Sequence, residues 1–314
     1  MKLIKPSFEI LEQEPGIQGI YKQIERAGRT CYKSEDRITE DSAEKFVNMI
    51  KDRQHTAMLE HGTVYLKDIY DVSAIGSWRS SIGGKYSSNK YSVVNTDRMC
   101  DFQGIYVTTN FRVLVENNWL DDLKYLCEPT EYHEKRITVK FICDRGVSHE
   151  FVRHRVFSFA QESTRYCNYS KDKFGKELTF IIPCWANTNK FPKHTIITHD
   201  DFGDLIEEYY FHLSGKEASH FEPWEITPES NFITSLQVSE QLYLELLNQG
   251  WAPQQARSVL PNSLKTELVM TGTLEQWKGF FKLRCDKAAH PQAQELAIPL
   301  KEEVIKRNLI NGND

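Results

Sequence analysis

The clearest helical pattern in the chain lies close to the N-terminus. Ala43, Phe46, Val47 and Ile50 are spaced at i, i+3, i+4 and i+7, which places all four side chains on one face of an α-helix. The polar residues just before Ala43 are typical of the start of a helix. We therefore predict a helix that runs to about Lys51 and packs its apolar face into the core.

The rest of the pattern predicts a mixture of strands and helices. Alternating or continuous apolar positions bounded by proline or glycine indicate strands, and helical spacing indicates helices. The predicted strands lie at 2–12, 62–66, 137–142 and 178–183, and the predicted helices at 17–28, 144–152, 200–213, 228–248, 252–261 and 277–286, the last continuing into a C-terminal helix. We also predict a long loop at 67–101, a small helical element at 111–127 and a largely helical chain after residue 183.

Composition and charge narrow the class of protein. The 314 residues are 40% apolar and 12% aromatic, which is enough to bury a sizeable core. A formal charge of -5 argues against a binder of nucleic-acid polymers, and no apolar run approaches the roughly 20 residues that cross a membrane. Seven widely spaced cysteines, without a Cys-x-x-Cys pair or a secretory leader, indicate a reduced, cytoplasmic protein without a metal site for structural zinc. We expect its partners to be small molecules.

One stretch of fourteen residues, 153–166, concentrates positive charge. It contains Arg153, His154, Arg155 and Arg165, separated mostly by aromatic, small and hydroxyl-bearing residues. A solvated helix face would scatter lysines and glutamates at helical spacing, whereas the cations here are all arginine. Arginine binds phosphate or a carbonyl edge through a planar fork and stays charged when partly buried. The stretch favours a site for a phosphate-bearing ligand, and a plain surface charge cluster is the alternative.

The order Arg-His-Arg, seven residues, Ser, one residue, Arg in this stretch resembles the signature motif of the flavin-dependent thymidylate synthases. In that family the motif lies on a loop leaving a helix and binds the deoxyuridylate substrate and part of the flavin. This chain departs from the family pattern at Ala160 and Gln161, where Asn-Glu is usual. The resemblance implies substrate contacts from Arg153, Gln161, Glu162, Ser163 and Arg165, and flavin contacts from Arg153, His154 and Arg155.

His55, Glu60 and His61 lie within seven residues, just before a predicted strand. Zinc ligation is one interpretation, but His-x5-His is not a helical ligand spacing. Ordinary capping or core histidines are a second interpretation. The arrangement also resembles the flavin-contacting segment of the same family, in which His55 would approach the isoalloxazine ring.

Two C-terminal segments extend the resemblance. Arg257 begins an Arg-x-x-Leu-Pro sequence whose arginine contacts the nucleotide in the family; the alternative is a simple salt bridge. Arg284, in Leu-Arg-x-Asp, is followed by His290 in His-x-x-Ala-Gln-Glu, and the family's arginine at this place holds the uracil ring. A core helix with surface charges is the alternative there. Thr273 and Gly279 stand where a shorter relative has flavin-contacting asparagines, so neither is a candidate.

The resemblance covers residues 17–66 and 135–310, about three quarters of the chain. It implies an α/β fold of the α+β type, in which helices pack on a bent, mainly antiparallel sheet. It further implies a single domain over 1–314 with an insertion at about 68–134, and a homotetramer whose active sites are shared between subunits.

The implied reaction is the reductive methylation of dUMP to dTMP, with FAD as cofactor and NADPH and methylenetetrahydrofolate as co-substrates. The resemblance makes Arg284 and Ser163 the catalytic candidates, adds Glu150, Arg257 and Arg284 to the substrate contacts, and adds His55, Glu60, His61 and His290 to the flavin contacts. No cysteine nucleophile is expected, although Cys167 follows Arg165 closely, because reduced flavin can deliver hydride to the pyrimidine. The alternatives are a non-catalytic nucleotide-binding regulator on the same fold and a metal-dependent hydrolase around His55 and His61.

Overall fold

The computed structural model describes residues 1–71, 82–99, 102–171, 175–191 and 227–311. The strands in these ranges are β1 (Lys2–Ile4), β2 (Ser7–Leu11), β3 (Thr63–Asp71), β4 (Val93–Met99), β5 (Phe102–Asn110), β6 (Arg136–Asp144), β7 (Ser158–Gln161), β8 (Thr179–Ile181) and β9 (Lys265–Thr273). The α-helices are α1 (Gly16–Tyr32), α2 (Ser42–Asp52), α3 (Ile82–Ser87), α4 (Phe111–Glu116), α5 (Arg145–Phe151), α6 (Pro228–Asn248), α7 (Pro253–Ala256), α8 (Leu274–Arg284) and α9 (Pro291–Lys306). Short 3-10 helices lie at Glu35–Arg37, Thr56–His61, Leu120–Tyr125, Thr188–Lys190 and Arg257–Val259.

The candidate site is built on an antiparallel sheet with strand order β2-β6-β9-β7. Leu268 and Met270 of β9 face a core that includes the aromatic side chains Trp277 and Phe280 of α8. On the opposite face, Val269 packs in a cluster with side chains of α1. Residues 266–272 of β9 are all buried, because helices cover both faces of the strand.

A second antiparallel sheet, with strand order β3-β5-β4, occupies much of the expected insertion. Side chains of β3 and β5 share a core with α1 and α2. The predicted apolar face of α2 is therefore confirmed as buried. The prediction of a long loop at 67–101 is wrong for the described residues, since β3 extends to Asp71 and α3 and β4 follow. The predicted helical element at 111–127 is confirmed as α4 and the 3-10 helix Leu120–Tyr125.

The expected combination of helices with mainly antiparallel strands is confirmed, and β1 with β8 forms the parallel exception. The prediction that the chain after residue 183 is largely helical missed β9, a central strand of the sheet. The predicted first strand is divided into β1 and β2, and the predicted helix at 200–213 lies outside the described residues. In the described ranges, no helix is both long enough and apolar enough to cross a bilayer.

Candidate functional site

The motif at 153–166 is divided among a loop, a strand and a second loop. Asp144 caps α5, because its Oδ1 accepts a hydrogen bond from the backbone N–H of Val147 at 2.6 Å. α5 ends at Phe151, and Phe157 is buried again in the aromatic core, so the residues between them form the expected loop leaving a helix. The next four residues form β7, and residues 162–166, called here the 162–166 loop, follow that strand.

Arg284, at the end of α8, is held by three hydrogen bonds to the end of α5 and the residues after it. Its Nη1 donates to Oε2 of Glu150 at 2.5 Å, and its Nη2 to the backbone carbonyl of Glu150 at 2.6 Å. Its Nε donates to Nε2 of His154 at 2.9 Å. Arg153 adds a longer ion pair to Glu150 at 3.7 Å, while its side chain remains 71% exposed. Four predicted site residues are thus brought together.

The His154 ring is uncharged at neutral pH. Burial lowers the pKa of His154 to about 4, and the positive charge of Arg284 acts in the same direction. Because Nε2 accepts a hydrogen bond from Arg284, the ring proton is on Nδ1. The ring packs against Phe280, with centroids 5.0 Å apart. The site therefore holds a neutral imidazole beside a guanidinium.

The 162–166 loop carries a second group of predicted site residues. Nε of Arg165 donates to the side-chain oxygen of Gln254 at 3.2 Å, and Arg257 donates to the hydroxyl of Thr164 at 3.2 Å. The hydroxyl of Ser163 accepts from the backbone N–H of Arg165 at 3.3 Å. Both arginines are exposed, and neither has a carboxylate partner among the residues that the structure describes. Their guanidinium groups keep donors for an anionic ligand.

Gln161 connects the two groups. Its Nε2 donates to the hydroxyl of Ser148 on α5 at 2.9 Å and to that of Thr266 on β9 at 3.2 Å. Arg145 donates to the same Thr266 hydroxyl at 3.2 Å. Gln161, predicted as a substrate contact, thus links the end of β7 to the helix whose C-terminal end holds Arg284.

Glu162, also predicted as a substrate contact, is buried below the loop with 1% of its surface exposed. Its carboxylate accepts a hydrogen bond from the hydroxyl of Tyr169 at 2.8 Å and pairs with Nζ of Lys265 at 3.0 Å. In this conformation the carboxylate has almost no surface for direct contact with a ligand. Glu162 instead fixes the base of the 162–166 loop to β9.

Glu267 continues this ion network on β9. Its carboxylate pairs with Lys265 at 2.6 Å, with Lys140 at 2.7 Å and with Lys33 from the end of α1. Burial alone would raise the pKa of Glu267, but the three positive charges hold it well below its usual range. Lys33 also pairs with Glu35 at 3.6 Å, so three lysines and three carboxylates, counting Glu162, balance in charge beneath the loop.

The three predicted flavin residues of the first segment lie in or beside Thr56–His61, called here the 56–61 turn. His55 is exposed at its start, and Glu60 pairs with Arg112 of α4 at 2.5 Å. His61 is fully buried, with Nδ1 2.8 Å from the hydroxyl of Thr271 on β9. Burial, together with the charge of Arg136, lowers the pKa of His61 to about 3. His55 is the accessible member of this group.

Arg155 and His290, the remaining predicted flavin contacts, are exposed. Arg155 lies on the loop after α5 and has no carboxylate partner in the described part of the chain. The ring of His290 lies edge-to-face with Trp185, at a centroid distance of 5.7 Å. Gln292 donates to Asp144 at 2.6 Å, which places the start of α9 beside the start of α5.

Cys167 follows the 162–166 loop directly. Cys167 is 1% exposed, and burial, together with the charge of Glu162, raises the pKa of its thiol to about 12. Within the described ranges, no group of three or more His, Cys, Asp or Glu side chains is arranged to hold a metal ion.

Sequence reasoning missed the ion network that supports the 162–166 loop. Lys265 and Glu267 are two positions apart in sequence, and residues with this spacing on a strand have their side chains on the same face. This spacing would have indicated a pair on one face only if β9 had been predicted as a strand. Lys33 and Lys140 carry no local pattern, because each reaches Glu267 through tertiary packing.

The fold and the site together define an α+β protein in which several exposed arginines lie near a neutral histidine. The family model described as "Thymidylate synthase complementing protein" matches residues 128–307. The chain belongs to this family, which confirms the resemblance to the flavin-dependent thymidylate synthases and the enzyme class that it implies.

Two proteins similar to this chain are named flavin-dependent thymidylate synthases. A flavin-dependent thymidylate synthase of Pyrococcus furiosus is 26% identical over 230 residues, which are 71% of this chain and 78% of the relative. One of Synechocystis sp. is 26% identical over 170 residues, 54% of this chain and 66% of the relative. A crystal structure of the UMP/dUMP methylase PolB from Streptomyces cacaoi bound with 5-Br dUMP aligns with a TM-score of 0.40 at 14% identity, covering 98% of this chain and 93% of that chain.

Proposed function

We propose that this protein is a flavin-dependent thymidylate synthase, which reductively methylates dUMP to dTMP. The observation that carries the proposal is that the family segments meet around one sheet, with exposed Arg165 on the 162–166 loop, exposed Arg257 beside that loop and fixed Arg284 at the end of α8. A nucleoside monophosphate needs both a phosphate site and donors for a carbonyl edge, and these two groups meet those needs.

The 162–166 loop is the proposed site of the dUMP phosphate. Arg165 and Arg257 have donors that no described carboxylate occupies, and Ser163, two residues before Arg165, has its hydroxyl near the backbone of Arg165. Gln161 and Glu162 hold the loop in place from below. Because arginine donors bind phosphate in a fixed planar geometry, this loop would fix the orientation of the nucleotide.

Arg284 is the proposed group for the uracil ring. Three of its five N–H groups are used by Glu150 and His154, so two remain for a carbonyl edge. The Glu150 carboxylate holds the guanidinium in one orientation, and Arg153 extends beside it. Preorganised donors of this kind stabilise charge that develops on a carbonyl oxygen without having to reorient during the reaction.

The exposed side chains beside these groups fit FAD. Its diphosphate is an anion, and Arg153, Arg155, His55 and His290 are exposed side chains that can donate hydrogen bonds. Half-buried Glu60 and buried His61 would support the turn that presents His55. When bound, the flavin supplies the redox chemistry with electrons from NADPH, while methylenetetrahydrofolate supplies the carbon.

No protein thiolate is part of the proposed reaction. The raised pKa of Cys167 keeps the thiol protonated at neutral pH, and its side chain is buried. Ser163 acts by positioning the nucleotide.

We further propose a cytoplasmic homotetramer of single-domain subunits with an insertion at 68–134, in which active sites are shared between subunits. The free thiols of the described cysteines support the compartment.

The test is a reconstitution with the purified full chain. The protein should be yellow, should oxidise NADPH, and should form dTMP from dUMP only when methylenetetrahydrofolate is present. A colourless protein that binds dUMP without turnover would instead identify a nucleotide-binding regulator. Loss of activity with a chelator, restored by a divalent metal, would support a metal-dependent hydrolase.

A further inference from the structure

A cavity of about 600 Å³ lies where β2 and β6 meet the start of α1. None of the residues proposed to contact dUMP or FAD lines it. Its volume falls in the range of about 300 to 1,000 Å³ that is usual for small-molecule sites. The cavity therefore has the size of a ligand site without being part of the proposed active site.

Much of the cavity wall is apolar. Leu11 of β2 lies on the sheet side, and Ile20 of α1 and Leu126 lie on other walls. Tyr65 of β3 adds a largely buried aromatic ring. Walls of this kind bind the apolar body of a ligand, while a few polar groups determine its orientation.

Gln23 supplies one of those polar groups. It lines the cavity and is 2% exposed, and its Nε2 donates to the carbonyl of Leu11 at 3.3 Å. Its Oε1 is buried and has no hydrogen-bond partner among the described residues. A buried carbonyl oxygen without a donor is unfavourable, so this atom is an open position for an N–H or O–H group.

Arg136 supplies a half-buried charge at the same wall. It donates to the hydroxyl of Thr63 at 3.3 Å and to the backbone carbonyls of Thr109 and Glu60 at 3.5 and 3.2 Å. All three acceptors are uncharged, and Arg136 has no carboxylate partner in the described ranges. The carboxylate of Glu60 is engaged by Arg112. Burial lowers the pKa of Arg136 to about 10, although the negative charge of nearby Glu60 acts in the opposite direction.

Several other charges of the cavity wall are neutralised by neighbours. Arg307 pairs with Glu12 at 2.8 Å, and Glu14 pairs with Lys22 at 2.6 Å. The wall residues Glu12, Glu14 and Arg307 therefore already have partners of opposite charge.

The wall also includes Lys135 and Glu128, whose charges offset one another in number. Gly16 lines the cavity at the start of α1, and no side chain caps that helix. The free N–H groups of the first turn add positive potential. With Lys135 and Glu128 balanced, Arg136 leaves the cavity with a preference for an anion.

We propose that this cavity is a binding site for a small organic anion. The ligand would place an apolar ring against Ile20 and Leu126, direct a carboxylate, sulfonate or phosphate group to Arg136, and donate a hydrogen bond to Oε1 of Gln23. The site is separate from the proposed dUMP and FAD contacts, so both can be filled at once.

The test uses two probes of the same shape, 2-naphthalenesulfonate and its uncharged sulfonamide. Each is titrated calorimetrically into the full-length protein in the presence of saturating dUMP and FAD. The sulfonate should bind once per chain and at least tenfold more tightly than the sulfonamide. The variant Arg136→Gln should remove this preference, whereas Arg136→Lys should retain it in part.

A cavity-filling variant gives an independent measurement. Leu126→Trp should weaken both probes at least tenfold, while Lys45→Gln, an exposed change on α2, should leave both affinities within twofold. Equal affinity of the two probes, absence of saturable sulfonate binding, or unchanged binding in Leu126→Trp would each overturn the proposal. Because the measurement is of binding, its result does not depend on whether the protein makes dTMP.

Discussion

Nε of Arg284 donates a hydrogen bond to Nε2 of His154 over 2.9 Å. This bond needs a free electron pair on the imidazole, so it exists only while His154 is neutral. Protonation of the ring would remove the acceptor and place two cations in contact, with only the Glu150 carboxylate to offset them. The orientation of Arg284 is therefore linked to the protonation state of a residue in the arginine-rich motif.

The first prediction concerns stability and pH. The folded-state pKa values of His154 and His61, about 4 and about 3, lie below the ordinary value of 6.5. Between these values the unfolded chain binds more protons than the folded one, so stability rises with pH. The free energy of unfolding in urea should be smaller at pH 5.0 than at pH 7.5. His154→Gln should reduce this difference, and an unchanged difference would contradict the assignment.

The second prediction concerns the uracil ring. Arg284→Ala removes the proposed donors to the carbonyl edge. The value of kcat/KM for dUMP should therefore fall by an amount that corresponds to a loss of about 2 to 4 kcal/mol of transition-state binding. The FAD content of the purified protein should stay normal. Lys282→Ala, an exposed change on the same helix, is the control and should have little effect. Wild-type kinetics in Arg284→Ala would remove this residue from the nucleotide site.

The third prediction concerns the ion network. Lys265→Met leaves the buried Glu162 carboxylate without its cation, and breaking a buried pair in this way costs about 3 to 5 kcal/mol of stability. Glu162→Gln in the same protein should recover a part of that loss, because the uncompensated charge is gone. A double-mutant cycle on urea unfolding measures the coupling. A coupling energy near zero would mean that Lys265 does not hold the loop through Glu162.

The fourth prediction concerns Cys167. If no thiolate attacks the pyrimidine, Cys167→Ala should lower kcat less than about tenfold, or about 1.4 kcal/mol. The measurement is dTMP formation at saturating dUMP, with FAD content as the control for folding. A loss of several orders of magnitude in a variant that still binds FAD and dUMP would refute the proposed chemistry.

The fifth prediction concerns shared active sites. His55→Ala and Arg165→Ala should each be inactive as pure oligomers, because each lacks one part of every site. Mixed under conditions of subunit exchange, they should regain activity if the two residues reach one site from different subunits. Mixed oligomers without activity would show that both residues serve a site from the same subunit.

The sequence predicted elements well where local signals were strong. The helix at 42–51 was found because its apolar face is regular, and α6 was found because Pro228 starts it and Gly250 follows its end. β9 was missed, because it is buried on both faces and shows no clear alternation of apolar and polar positions. The hairpin of β4 and β5 was missed in a region whose Ser, Gly and Asn content is typical of loops.

The candidate site shows the same division. Spacing within the motif located the arginines, and the family order located Arg257 and Arg284. The burial of Glu162 and His61 was not predictable, since each is bonded to a residue of the unrecognised strand β9. Residues that point to a ligand and residues that support the backbone beneath it have the same local sequence pattern, and only tertiary packing separates them.

Glu267 and Thr271 project from the same face of β9, four residues apart. The first belongs to the ion network under the 162–166 loop, and the second bonds His61 in the 56–61 turn, so the strand sets these two attachment points about 13 Å apart. One residue inserted between them would turn Thr271 to the opposite face. The length of β9 therefore fixes the distance between the 162–166 loop and the 56–61 turn.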